Sequence, residues 1–158
     1  MLPSHAVHVA HSAKSNKQRG RTFMVRPLCL LVVNMDTMPL PRIDRERGRV
    51  AVTSIRDGSA DRDTTAVAVR FILQEFARIA PGKSVEVRVP PHGAVQIVEG
   101  LGHTRGTPPN VIELDAATLV ALAVGAETWD AAVDRGAVRA SGTRATLAEL
   151  VPLTALRE

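Results

Sequence analysis

A chain of 158 residues with 45% hydrophobic side chains is long enough and apolar enough to bury one sizeable core, which excludes a wholly disordered chain or a disulfide-stapled miniature. The formal net charge of +4 invites nucleic acid, but the excess lies before Met38, where Lys14, Lys17, Arg19, Arg21 and Arg26 face only Asp36; from Met38 onward Lys83 and fourteen arginines balance fifteen carboxylates. With a neutral folded part, one Trp, three Phe and no Tyr, the chain lacks the basic stripe and stacking aromatics of nucleic-acid modules, and no nucleic-acid partner is expected.

Residues 1–37 are rich in Ser, Asn, Lys, Gln, His and Arg and show no sustained period of 2 or 3.6, so they read as a disordered or mis-annotated N-terminal extension, with Met38 or Met35 as the expected true start. The apolar run 28–33 is too short to span a bilayer and has no signal-peptide flanks, so no transmembrane segment is expected. His5, His8 and His11 share an H-x-x-H-x-x-H spacing, yet no carboxylate or cysteine accompanies them, and no metal site is assigned. Cys29 is the single cysteine, which rules out a disulfide framework within the chain and fits a reducing, cytoplasmic setting.

From Asp44 the pattern changes. Asp44 is placed to cap a helix over 45–55, with Val50, Ala51 and Ile55 as a narrow apolar stripe and Gly48 costing about 1 kcal/mol relative to Ala. After the break at 57–59, a helix beginning at Thr64 or Thr65 and running to Ala80 carries Val69, Ile72, Leu73, Phe76, Ile79 and Ala80 on one face, and Pro81-Gly82 stops it. Three strands follow, 84–89, 95–99 and 110–114, arranged as a meander; Val85, Val87 and Val89 alternate with Ser84, Glu86 and Arg88, giving one apolar and one wet face. A four-residue loop would set Val87 opposite Gln96, whereas a five-residue loop sets Val87 opposite Ile97, Val89 opposite Val95 and Arg88 opposite Gln96; the second is favoured because it pairs β-branched residues on the buried side. Asp115 then caps a helix over 116–124 ended by Gly125, and Thr128 caps one over 129–135 closed by Gly136. A strand over 137–140 and a helix over 144–150, with Leu147 and Leu150 inward, complete an α+β two-layer domain spanning 38–158.

The stretch VIELDAATLVALAVGAETWDAAVDRGAVRASGTRATLAEL resembles the C-terminal half of sterol carrier protein 2-like domains. A strand there leads to a capped helix (here Asp115, Leu119, Leu122 and Gly125) and then to a Gly-flanked strand (here Gly136, Val138, Ala140 and Gly142). SVEVRVPPHGAVQIVEGLGHTRGTPPNVIEL, with its HTRGTPPN segment, is similar to the actinobacterial branch known as bacterial sterol carrier protein orthologues, over about 39–153. The resemblance implies a sterol carrier protein 2-like two-layer fold. Its curved, mostly antiparallel five-stranded sheet is covered on one side by short helices, and an apolar tunnel between the layers holds a lipid in some relatives. Other relatives are fused to a thiol-dependent isomerase domain that owns the metal and the chemistry.

A tunnel of that kind would be walled by Phe76, Val87, Val95, Ile97, Ile112, Leu119, Leu122 and Trp129, although the same residue types would fill an ordinary core. Arg88, Gln96, His103 and Arg105 are the candidate polar groups at its mouth. His92 and His103 lie in loops, where bases are often found, but no Ser or Cys nucleophile stands at a recognisable spacing, and no catalytic residue is assigned. The Gly-rich loop after Glu99 runs into a strand rather than a helix, so it is no phosphate cradle; no metal and no cofactor are expected. The expected function is a small, non-catalytic cytoplasmic module binding an apolar small molecule or acyl chain. The alternative is an accessory domain that docks on an unidentified partner enzyme, related to the non-metal domain of the thiol-dependent isomerases.

Overall fold

The structure, a computed structural model, describes residues 41–100 and 109–156, all within the unit Met38–Glu158. The expectations for 1–37, including the histidine triplet and Cys29, and those for His103 and Arg105 lie outside the described residues.

Helix α1, Arg45–Arg56, starts where the Asp44 carboxylate accepts the Arg47 N–H at 2.9 Å. Its inward face runs through Gly48, Ala51 and Val52 rather than through Val50, which is 57% exposed; the i, i+3, i+4 spacing from Gly48 selects Val52, and Val50 points away. Helix α2, Arg62–Ile79, begins earlier than expected because Asp61 is the residue that caps it, accepting the Thr64 N–H at 2.7 Å. Thr64 holds the Asp61 carboxyl below its ordinary pKa through side-chain and backbone hydrogen bonds.

The buried face of α2 is wider than one stripe: Val67, Ala68, Phe71 and Glu75 join Val69, Ile72, Leu73 and Phe76. The helix packs on the sheet and also against α1, so two of its faces are covered. Gly48 makes the second contact possible, since a β-carbon there would overlap the Phe71 ring. Ile79, expected inward, is 41% exposed, and Ala80 leaves the helix to accept the Val98 N–H at 2.8 Å.

The sheet comprises β1 (Pro81–Val89), β2 (Gly93–Ile97), β3 (Val111–Leu114) and β4 (Val138–Ser141) in the order β2-β1-β3-β4. Four strands, where five were expected, are present among the described residues. The sheet is mixed rather than a meander: β1 pairs antiparallel with β2 but parallel with β3, and β3 pairs antiparallel with β4. Parallel neighbours need a connection of a dozen residues or more, and residues 98–110 between β2 and β3 supply that length.

The β1–β2 register also departs from expectation. Val87 faces Val95, Val85 faces Ile97, Arg88 faces Ala94, and Glu86 faces Gln96. The turn is three residues long, 90–92, and is closed by the His92 N–H donating to the Val89 carbonyl at 2.8 Å. Relative to the five-residue loop this is a slip of two, which changes every partner and leaves each side chain on its expected face. Val85, Val87, Val89 and Ile97 are therefore buried as predicted.

Helices α3 (Ala116–Val124) and α4 (Trp129–Asp134) follow their predicted caps, Asp115 and Thr128, and Gly125 ends α3 in the left-handed conformation at φ 81°. The helix expected over 144–150 is absent. The Ala148 N–H, which a helix would direct to the Arg144 carbonyl, donates instead to Thr146 Oγ1 at 3.1 Å, while the Arg144 N–H donates to Asn110 Oδ1 at 2.9 Å, and the segment continues as turns that bury Leu147 alone among its large side chains. A single 3-10 turn at Thr154–Leu156 buries Leu156 at the end of the described chain.

Candidate apolar-ligand site

Six of the predicted wall residues are brought together. Phe76 from α2, Val87, Ile97 and Ile112 from the sheet, and Leu119 and Leu122 from α3 are each 0% exposed and belong to one apolar cluster. The cause is geometric: α2 lies on β1 and β2 and also meets α3, so these faces converge between the layers. Trp129 and Val95 sit at its margins, both half-buried and packed against it. Trp129 lines a separate concavity of about 280 Å³ with Gly125, Pro152 and the acids Glu127 and Asp130. Val133, four residues after Trp129 on α4, is 40% exposed and stands outside the cluster.

Val95 matters more, because it opens onto a groove. A concavity of about 220 Å³ lies between α2 and the edge strand β2, lined by Pro41, Ile43, Arg70, Leu73, Gln74, Ala94 and Val95. Its floor is set by an unusual clasp. The Ile43 N–H donates to Gln74 Oε1 at 3.0 Å, and Gln74 Nε2 donates back to the Ile43 carbonyl at 3.0 Å, so one side-chain amide satisfies both backbone groups of a residue in extended chain. That fixes the segment before α1 across α2 and buries the Ile43 side chain.

On the other side of the clasp is a hollow of about 300 Å³, lined by Arg42, Asp44, Arg45, Phe71, Glu75 and Arg78 together with Ile43 and Gln74. Glu75, 3% exposed, is neutralised there by Arg78 at 2.9 Å. Pairing is what makes so deep a carboxylate tolerable on a helix that is otherwise apolar inward.

Arg88 and Gln96, predicted as polar mouth groups, are on the outer face of the sheet and border neither concavity. Arg88 donates to Glu86 at 2.6 Å, and that hydrogen bond, aided by the Glu86 charge, raises the guanidinium pKa. Glu113 and Arg139 continue the row at 3.5 Å. The sheet thus presents alternating charge outward. Ser84, on the same parity, is buried instead, its hydroxyl donating to the Val98 carbonyl at 2.8 Å.

Sequence reasoning missed Pro41, Ile43, Arg70 and Gln74 as groove residues. Arg70 and Gln74 fall off the apolar stripe, and the Gln74 amide finds its partner 31 residues away, a pairing with no local signal. Among the described residues no group of three His, Cys, Asp or Glu is placed to hold a metal, and no helix is long and apolar enough to cross a membrane.

These elements define an α+β domain in which helices cover a mixed four-stranded sheet over an apolar core, an arrangement that fits sterol carrier-like proteins. The model of the family described as bacterial SCP ortholog matches residues 61–153, more than half of the chain, and the chain belongs to that sterol carrier protein 2-like bacterial family. The match runs from the α2 cap to Leu153 and so takes in the whole described sheet, while α1 and the Ile43 segment precede it. A search of curated proteins finds no match.

Proposed function

We propose that the protein is a non-catalytic binding module for a lipid or fatty-acyl-like ligand. Membership of a sterol carrier-like family supports the class. The observation that carries the reading is the groove at the α2–β2 edge, where Val95 and Leu73 lead directly into an all-apolar cluster. Burial of hydrocarbon is worth roughly 0.8 kcal/mol per CH₂, so a tail that seats four or five methylenes there gains about 3–4 kcal/mol. Longer chains reach Phe76, Val87, Ile97, Ile112, Leu119 and Leu122 only by parting side chains that are packed in this state, and the half-buried Val95 is the place where that parting costs least. The same reading carries with it the actinobacterial branch, a cytoplasmic setting compatible with the lone Cys29, and a five-stranded sheet of which four strands are described.

The test is uptake of a fluorescent fatty acid by the full chain and by Val95→Trp, in which the indole fills the groove. The variant should lose uptake with an unchanged circular dichroism spectrum. Wild-type uptake by the variant would sink the groove as the binding place. The second reading, an accessory domain docking on a partner enzyme, is supported by the charged row Glu86, Arg88, Glu113 and Arg139 on the outer sheet face, which rises in exposure from Glu86 to Arg139. Paired surface charges of this kind equally suit a solvated face, which ranks it second.

A further inference from the structure

The groove and the basic hollow share a wall. Ile43 and Gln74 line both, so their clasp has Leu73 and Val95 on one side and Arg42, Arg45 and Arg78 on the other. Along α2 the row Arg70, Gln74, Arg78 recurs every four residues, about 12 Å from end to end at 1.5 Å rise per residue, so the two concavities lie within the length of a medium-chain amphipath.

The hollow also holds two carboxylates, and both are committed. Glu75 pairs with Arg78 at 2.9 Å, and Asp44 accepts the Arg47 N–H at 2.9 Å as the cap of α1. Arg42 and Arg45, both exposed, have no hydrogen-bond or ion-pair partner among the described residues. Two uncommitted guanidinium forks beside an apolar groove are complementary to one kind of molecule. It has hydrocarbon at one end and a planar or tetrahedral anion at the other.

We propose that the hollow is an anion subsite. The ligand is an amphipath whose hydrocarbon lies in the Leu73/Val95 groove and whose carboxylate or phosphate head reaches across the Ile43–Gln74 clasp to Arg42 and Arg45. The inference rests on the lipid-binding reading above and names the head group that reading leaves open. Arg42 and Arg45 precede the residues that the family model matches, so the preference is written in this chain's own N-terminal flank.

Isothermal titration of the full chain with octanoate, octyl phosphate and octan-1-ol tests it, the first two separating a carboxylate from a phosphate source. At least one anion should bind about tenfold tighter than octanol, a factor worth about 1.4 kcal/mol, and the advantage should shrink with added salt. The double variant Arg42→Ala/Arg45→Ala should bring both anions to the octanol level and leave octanol binding unchanged, while Arg42→Lys/Arg45→Lys should restore much of the preference. Equal affinity for all three probes, or an anion preference indifferent to the double alanine variant, overturns the subsite and leaves the lipid reading standing. Failure of all three to bind removes the lipid reading and the subsite with it.

Discussion

Gly48 and Asn110 are the residues whose roles are least visible from composition. In isolation Gly48 is a weakness of α1, about 1 kcal/mol worse than Ala, yet a β-carbon at this position would overlap the Phe71 ring. Gly48→Ala should therefore destabilise the domain by about 1–3 kcal/mol in urea unfolding despite its better helix propensity, and Phe71→Leu in the same chain should recover part of the loss. Stabilisation by Gly48→Ala alone would show that the two helices can part freely. Asn110, 6% exposed, donates from Nδ2 to the Ser84 carbonyl at 2.8 Å and accepts the Arg144 N–H at 2.9 Å, while its own carbonyl accepts the Glu86 N–H at 2.9 Å. One side chain thus ties the edge of β1 to the turn after β4, where Gly142 passes so close that a β-carbon would strike the Pro109 carbonyl. Asn110→Ala leaves the buried Ser84 carbonyl and the part-buried Arg144 N–H without this partner and should cost on the order of 1–3 kcal/mol by the same measurement. Asn110→Asp keeps the acceptor but sets an oxygen against the Ser84 carbonyl, and should be the worse of the two.

At the scale of elements, α2 was the most legible part of the chain and the ends of the sheet the least. The 3.6 periodicity of Val69, Ile72, Leu73 and Phe76 is local, and so are the caps Asp44, Asp115 and Thr128 with the αL stop at Gly125; each rests on residues within one turn of one another. Strand existence and facing were legible for the same reason. Partners were not, because the turn length sets the register and a slip of two preserves every face. The parallel β1–β3 pair depends on which side of β1 the chain returns to, and the expected helix over 144–150 gave way to turns in which the Thr146 hydroxyl takes the Ala148 N–H that a helix would give to the Arg144 carbonyl. Of the candidate site, the six buried wall residues were legible as core, and the groove was not, since it is made by the Ile43–Gln74 clasp. Phe76→Ala should cost about 3–5 kcal/mol, because Phe76 is fully buried at the centre of that core. A cost near zero would mean that the space around it is already open. The cap of α2 makes a pH prediction. Asp61 has its pKa lowered in the folded state by Thr64, so its stabilising charge is complete above the unfolded carboxylate range and is lost as pH falls through the lowered folded value. Glu127, lowered by its hydrogen bond to Arg135, carries the same sign. Asp61→Asn, which keeps a capping oxygen and removes the charge, should be less stable than wild type near pH 7, and the gap should close in thermal unfolding as pH falls below the ordinary carboxylate range. A gap that persists into acid would assign the effect to packing.

For the molecule as a whole, the arrangement of charge separates two sources of affinity for anions. Residues 1–37 hold five basic side chains against Asp36, whereas from Met38 onward fifteen basic and fifteen acidic side chains cancel. Polyanion retention should therefore follow the first stretch and the small-anion preference the second, because Arg42 and Arg45 lie beyond Met38. A chain beginning at Met38 should lose retention on a sulfonate exchanger at pH 7 and keep the octanoate-over-octanol ratio of the full chain. Its melting temperature should stay within about 2 °C, no more than about 1 kcal/mol shifts a chain of this size, because 1–37 offers no periodic apolar face to bury. If the octanoate preference disappears with residues 1–37 while the melting temperature holds, the anion is read by the basic extension, and the guanidinium pair beside the Ile43–Gln74 clasp is not the head-group site. If the melting temperature falls by several degrees instead, the extension is part of the fold, and the neutral unit from Met38 is no longer the body whose charge decides what the protein binds.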